Sequence, residues 1–338
     1  MALSEGKIHH LRALSNGDGI IAAAAMDQRG SLQKSIASAK GIDRNAVTDE
    51  MMQEFKAAVT RVLTPHASAI LLDPEWGLEA SKQRHQDCGL LLAYEASGYD
   101  NTQPGRLPDL LPHVSVQRIK NWGANAVKIL LYYTPFDDPK VNDIKHAFIE
   151  RIGAECLAHD IPFFLEFVAY DPAGGDEKGP EFAKAKPDIV LRSMAEFSKD
   201  IYHVDVLKVE VPINADYVEG SSVFKGTKVY TRTEALMHFR NAAGVATRPF
   251  IYLSAGVSND QFTESLRMAS EAGTGFSGVL CGRATWKEGI PVYAKQGVKA
   301  LEDWLSSEGV KNINAVNDAI RGATPWFVKF GLAPAVVG

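Results

Sequence analysis

Lys208 stands in the middle of VDVLKVEVP, residues 204–212, an otherwise apolar run. A strand buried in a parallel sheet reads as a near-continuous apolar run, and an ammonium placed there loses its hydration. Three more charges interrupt similar runs. Asp27 closes GIIAAAAMD (19–27), Lys128 lies in NAVKILLYY (125–133) and Glu166 in IPFFLEFVAY (161–170). Strand side chains alternate between two faces. Leu207, Val209 and Val211 share one face, Val206, Lys208 and Glu210 the other. Val127, Ile129 and Leu131 leave Lys128 opposite them; Phe163, Leu165 and Phe167 leave Glu166 opposite, with Phe164 and Val168; Asp27 follows Ala23 and Ala25. The all-apolar faces belong against helices, so the four charges face a shared interior. As a purely structural network, two lysines and two acids would be a weak source of stability. Gathered on four strand ends, they read as chemistry. A lysine in a partly apolar pocket beside another cation loses proton affinity, and a neutral amine adds to a carbonyl to form a Schiff base. The iminium stabilises an adjacent carbanion, and a nearby carboxylate moves the protons. That set makes and breaks carbon–carbon bonds in ketoses without a metal, with Lys128 as the cation that activates Lys208.

The elements that must hold these groups are eight apolar runs: 19–27, 68–73, 88–95, 125–133, 161–170, 204–212, 249–256 and 276–282. Amphipathic stretches of helical spacing separate most of them, at 48–63, 115–123, 142–160, 231–243 and 258–273. Thr48, Thr231 (with Glu234 three residues on) and Ser258 are expected helix caps, and Gly123 and Gly273 expected helix ends. Strand–helix alternation implies a parallel sheet, and eight units at this length point to a single (β/α)8 TIM barrel, an α/β fold. A doubly wound open sheet is the runner-up, but AMDQRG is not the glycine-rich fingerprint that fold carries after its first strand. Extra helices are expected at 3–14 and 289–320, with barrel strands across roughly 19–283 and one domain over 1–338. Residues 97–113 and 171–187 read as long loops on the rim of the site, and the tail after Trp326 as an extension beyond the fold.

The seventh and eighth runs end in LSAGVSND and LCGRATW. Ser254, Ala255, Gly256 and Gly282 are small enough for backbone N–H groups to approach a ligand, and Arg283 adds bidentate donors. A phosphate site in these two loops recurs among such barrels. Ordinary tight turns use the same residues, so the pairing of the two loops carries the reading.

The 338 residues include 41 acids against 36 lysines and arginines, a net charge of −5. Nothing points to nucleic acid. The three cysteines make neither a disulfide framework nor a metal set. No run has the roughly 18 apolar residues of a membrane helix, and the first residues lack a signal-peptide core. The expectation is a cytoplasmic enzyme with no cofactor and no metal. A symmetric homo-oligomer, dimer or tetramer, is expected from base rates. A zinc-dependent rival would need clustered ligands. Of the nine histidines only His9 and His10 are close together, most others fall on expected helices or loops, and His203 alone is left open.

AMDQRG, LLDPEWG, GLLLAYEASGYD, AVKILLYY, IPFFLE, DVLKVEVP, IYLSAGVS and GVLCGRATW, in this order, resemble the tagatose 1,6-bisphosphate aldolase family, class I enzymes, over about residues 1–326. The resemblance implies Lys208 as the Schiff-base lysine, Glu166 as acid/base, Lys128 as the second lysine, and Asp27 and Gln28 as substrate contacts, with Arg29 in the binding set. It places Ser254, Gly256 and Arg283 at the phosphate end. The implied reaction cleaves D-tagatose 1,6-bisphosphate to glycerone phosphate and D-glyceraldehyde 3-phosphate, with fructose 1,6-bisphosphate and other epimers also accepted. A sister group that cleaves a sulfonated fructose phosphate, 6-deoxy-6-sulfofructose 1-phosphate, shares DQR, KVE and GRA. A sugar-phosphate sensor on the same scaffold is the reading from another class.

Overall fold

All eight expected runs form strands: β1 (Ile21–Ala25), β2 (Ala69–Leu72), β3 (Gly89–Ala93), β4 (Ala126–Tyr132), β5 (Phe163–Val168), β6 (Val206–Glu210), β7 (Phe250–Leu253) and β8 (Gly278–Cys281). The structure, a computed structural model, describes residues 3–99 and 103–334. The strands pair in parallel in the order β1-β8-β7-β6-β5-β4-β3-β2 and close into a barrel. Phe164, Val206, Ile251 and Leu280 fill the barrel with the small side chains Ala23 and Ala69. Leu165, Leu207, Val209 and Val127 pack outward among the helices. The alternation argument therefore assigns the faces correctly.

The helices follow the capping chemistry. Thr48 accepts from the Met51 N–H ahead of helix Asp49–Leu63. Thr231 with Glu234, and Ser258 with Gln261, form reciprocal capping boxes. Gly123 and Gly273 take left-handed backbones with φ of 82° and 66°. The alternation is uneven, since β2 is followed only by the one-turn helix Leu78–Ser81.

Two expectations need correction. The stretch 171–187 is a loop only in its first half, because helix Pro180–Phe197 begins inside it. Pro180 sits in the first turn, where a missing N–H costs nothing. Pro187 lies within the helix and is buried with Ile189 and Val190, so packing overrides its helix-breaking tendency. The tail is also no appendage. Trp326 is fully buried and Phe327 nearly so, and both join Ile8, Leu11 and Leu14 in the cluster that continues into the barrel interior. The Trp326 N–H donates to Gly19 O at 3.0 Å. The tail thus plugs the end of the barrel opposite the strands' C-termini. Residues 100–102 of the 97–113 loop, and the last four of the tail, lie outside the described residues.

Candidate active site

Register sets the geometry at the C-terminal ends of the strands. Glu166 on β5 pairs directly with Lys208 on β6, whereas Lys128 on β4 pairs with Phe164, one inward step deeper. Lys208 Nζ donates to Glu166 Oε2 at 2.8 Å. Lys128 Nζ lies 2.8 Å from the same oxygen, 2.8 Å from Asp27 Oδ2 and 2.9 Å from Glu95 Oε1. Lys128 is wholly buried and Lys208 is 3% exposed. The four expected catalytic residues therefore converge.

The electrostatics separate the two lysines. Burial works against a charged Lys128, but Asp27, Glu166 and Glu95 outweigh it and hold the ammonium well above the ordinary lysine range. Burial likewise opposes charge on Glu166, yet Lys128 and Lys208 bring it below the ordinary carboxylate range. Asp27 is lowered too, its burial outweighed by Lys128 and Lys208. Lys128 is thus an ammonium wrapped by three carboxylates, while Lys208 touches one.

Glu95 was missed, although alternation through Leu91 and Ala93 puts it on the inner face. It is 4% exposed, and Arg29 approaches it at 3.5 Å while pairing with Glu75 at 2.8 Å. Arg29 is therefore committed to carboxylates beside the site. Lys56 was missed as well. From helix Asp49–Leu63 its fully buried ammonium donates to Met26 O at 2.7 Å and Gln28 O at 2.8 Å, and pairs with Asp73 at 2.6 Å. This clamps the turn that presents Asp27 and Gln28. Glu210, inward on β6 beyond Lys208, accepts the Ala169 N–H at 2.8 Å and pairs with Lys186 at 3.1 Å.

The phosphate-end residues also come together. Ala255 and Gly256 take positive φ of 48° and 78° after β7. A Cβ on Gly256 would fall 2.7 Å from the guanidinium carbon of Arg283, so that guanidinium lies across the loop. A Cβ on Gly282 would meet Ala25 O at 2.9 Å and Gln28 Nε2 at 3.2 Å, so Gln28 sits against the β8 turn. Lys287 Nζ donates to Gly256 O at 3.3 Å. Ser254 borders a cleft of about 630 Å³ that runs from this loop towards Glu210 and Tyr217. Cys281, against Ser254, is pushed up to about 12 by burial, so its thiol stays protonated. His203 lies at the other end of the barrel, just before β6, in a cavity of about 200 Å³ with Lys7, Asp205 and Arg248. Among the described residues, no three His, Cys, Asp or Glu side chains are grouped to hold a metal ion, and no helix is long and apolar enough to cross a membrane.

This constellation can form an imine and move protons beside it, and known proteins share the chain that carries it. "Tagatose 1,6-diphosphate aldolase" of Listeria monocytogenes serovar 1/2a is 50% identical over 330 residues, 97% of this chain and 96% of that protein. "Tagatose 1,6-diphosphate aldolase 2" of Enterococcus faecalis is 50% identical over 97% of this chain and 98% of its own. The fructose-bisphosphate aldolase of Plasmodium falciparum shares the fold, with a TM-score of 0.69 at 13% identity, over 96% of this chain and 97% of that one. The model of the DeoC/LacD family aldolase matches residues 21–288, from the first residue of β1 to just past Arg283. A barrel, an inward lysine–carboxylate cluster and half the residues of these relatives place the chain in the DeoC/LacD aldolase family.

Proposed function

We propose that the protein is a metal-independent, Schiff-base aldolase that reversibly cleaves D-tagatose 1,6-bisphosphate to glycerone phosphate and D-glyceraldehyde 3-phosphate, and also accepts fructose 1,6-bisphosphate and other epimers. The observation that carries the reading is the 2.8 Å contact of Lys208 with a Glu166 carboxylate that Lys128 also binds. Lys128 is held by three acids and keeps its proton, so Lys208 is the nucleophile. Its proton passes to Glu166, and the amine adds to the C2 carbonyl. Glu166 gives that proton to the carbinolamine hydroxyl, and loss of water leaves the iminium and a Glu166 carboxylate. Glu166, with Asp27, then takes the C4 hydroxyl proton. The C3–C4 bond breaks, its electrons flow to the iminium, and the aldehyde leaves. Protonation of the enamine at C3 and addition of water release glycerone phosphate and restore the amine. Asp27 Oδ1 has no hydrogen-bond partner among the described residues and offers an acceptor to a substrate hydroxyl. Ser254, Ala255, Gly256, Gly282 and Arg283 take the 1-phosphate, with Gln28 beside them. Arginine suits this task because its planar fork meets phosphate bidentately.

The names of the relatives favour tagatose bisphosphate over a sulfonated substrate, and an intact lysine–glutamate pair favours catalysis over sensing. Borohydride reduction with glycerone phosphate tests the mechanism. A single adduct on the peptide carrying Lys208 is expected, absent in Lys208→Met. Cleavage without an adduct, or cleavage retained by Lys208→Met, overturns it.

A further inference from the structure

Arg106 lies in the segment after β3, at the mouth of the barrel. Its backbone φ is 45°, a strained conformation for a residue with a side chain, and such strain gathers at functional sites. Its guanidinium carbon lies 4.7 Å from the ring centre of Tyr170, 5.1 Å from Tyr99 and 5.3 Å from Tyr132. The rings come from the segments after β3 and β5 and from the end of β4. Tyr170 is itself fixed, because its hydroxyl donates to the Asp137 carboxylate and accepts from the buried Lys145 at 2.8 Å. Arg106 and Glu95 line one small cavity with Tyr99 and Tyr132, so the guanidinium shares a cavity with one of the acids that hold Lys128. It pairs with Glu177 from the loop after β5 at 2.6 Å, and Glu177 is 31% exposed.

We infer that Arg106 receives the far anion of the substrate, the C6 phosphate of a ketohexose bisphosphate, and that Glu177 is the carboxylate this phosphate displaces. The inference rests on the aldolase reading. With C2 on Lys208 and the 1-phosphate in the loops after β7 and β8, the rest of the chain must run to the opposite wall. Around an eight-strand circle, β3 and β4 face β7 and β8, and Arg106 stands above β3 and β4. Arg29 suits this role less, because its side chain is 4% exposed against 22% for Arg106 and is held by two carboxylates against one. Three aromatic faces fix the Arg106 plane before the ligand arrives, which suits bidentate binding of phosphate.

The test compares fructose 1,6-bisphosphate with fructose 1-phosphate on the full chain. Arg106→Met is expected to lower kcat/KM for the bisphosphate about 10- to 100-fold, the span of one charge-assisted contact. The loss falls mainly on KM, and the monophosphate loses far less. Arg106→Lys, which keeps the charge and loses the fork, falls between. Glu177→Gln is expected to lower KM for the bisphosphate. An equal loss on both substrates would make Arg106 structural and overturn the inference, as would no loss on either. A raised KM for the bisphosphate in Glu177→Gln refutes the displaced carboxylate. Binding is read separately, from the rise in melting midpoint with each ligand. If wild type cleaves neither ligand but the bisphosphate stabilises it more, and Arg106→Met abolishes the difference, the aldolase reading fails and this one stands. Equal stabilisation of wild type by both ligands overturns this one.

Discussion

Lys56 lies outside the proposed chemistry and is wholly buried, and replacing it with methionine keeps most of its volume while removing its charge. Three contacts go: Asp73 at 2.6 Å, Met26 O at 2.7 Å and Gln28 O at 2.8 Å. Asp73 is as buried as Lys56, and removing one member of a buried pair costs about 3–5 kcal/mol, because the other charge is left without its counter-ion. Asp73 keeps the N–H groups of Glu75 and Trp76 on its other oxygen, so the lower end of that range is expected. Lys56→Met with Asp73→Asn removes both charges and should recover at least half of the loss. Urea unfolding followed by far-UV circular dichroism measures both, through the midpoint and its slope. Activity gives an independent readout, because the clamped turn carries Asp27. A displacement of about 1 Å in a positioned group costs on the order of 100-fold in rate, so kcat should fall in both variants. A single variant within about 1 kcal/mol of wild type, or a double variant no more stable than the single, would refute the buried-pair argument. Unchanged kcat in the single variant would refute the clamp.

Gly256→Ala puts a Cβ 2.7 Å from the Arg283 guanidinium carbon at a φ of 78°. It should cost about 1–2 kcal/mol of stability and raise KM for phosphorylated substrates, as read by unfolding and steady-state kinetics. Trp326→Ala empties a fully buried site at the far end of the barrel and should cost about 3–5 kcal/mol, with kcat/KM preserved well below the melting midpoint. Glu166 and Asp27 are held below their ordinary carboxylate values, so their stabilising contribution is complete above the unfolded values and is lost as pH falls through the folded ones. Lys128→Met removes the nearest cation, so unfolding measured from about pH 5 to about pH 3 should show a shallower loss of stability with acid than wild type.

Alternation along strands carried most of what could be read in advance. It works because a barrel strand has two buried faces of different character: helix packing tolerates only apolar side chains, while the inner face ends at a solvent-reached mouth where charge can be stabilised. Lys128, Glu166 and Lys208 obeyed that rule, and the strand order followed from repetition alone. The same rule applied to GLLLAYE reaches Glu95, which closes its run as Asp27 closes the first. Lys56 also left a trace. It falls four residues after Met52 and three before Val59, on the stripe that a buried helix face should keep apolar. An interruption of that stripe is the helical counterpart of a lysine in a strand.

What could not be read are directions taken after the periodicity stops. Arg29 is two residues from Asp27, yet Asp27 turns onto Lys128 and Arg29 onto Glu75 and Glu95. No repeat relates side-chain directions in a turn, so membership of a binding set implied by resemblance does not say which partners each side chain meets. The same limit hid Arg106, whose placement depends on a positive φ and on rings from segments as far apart as Tyr99 and Tyr170. Phe327 and the tail it opens read as surplus because they have no periodic partners in sequence, although the barrel's open end demanded an apolar plug from somewhere. A closed barrel exposes apolar rims at both ends. One end is occupied by chemistry, and any chain that folds this way must supply residues to cover the other. The unexplained aromatic residues beyond the last helix were the available candidates, and their burial against Ile8, Leu11 and Leu14 is what that requirement entails.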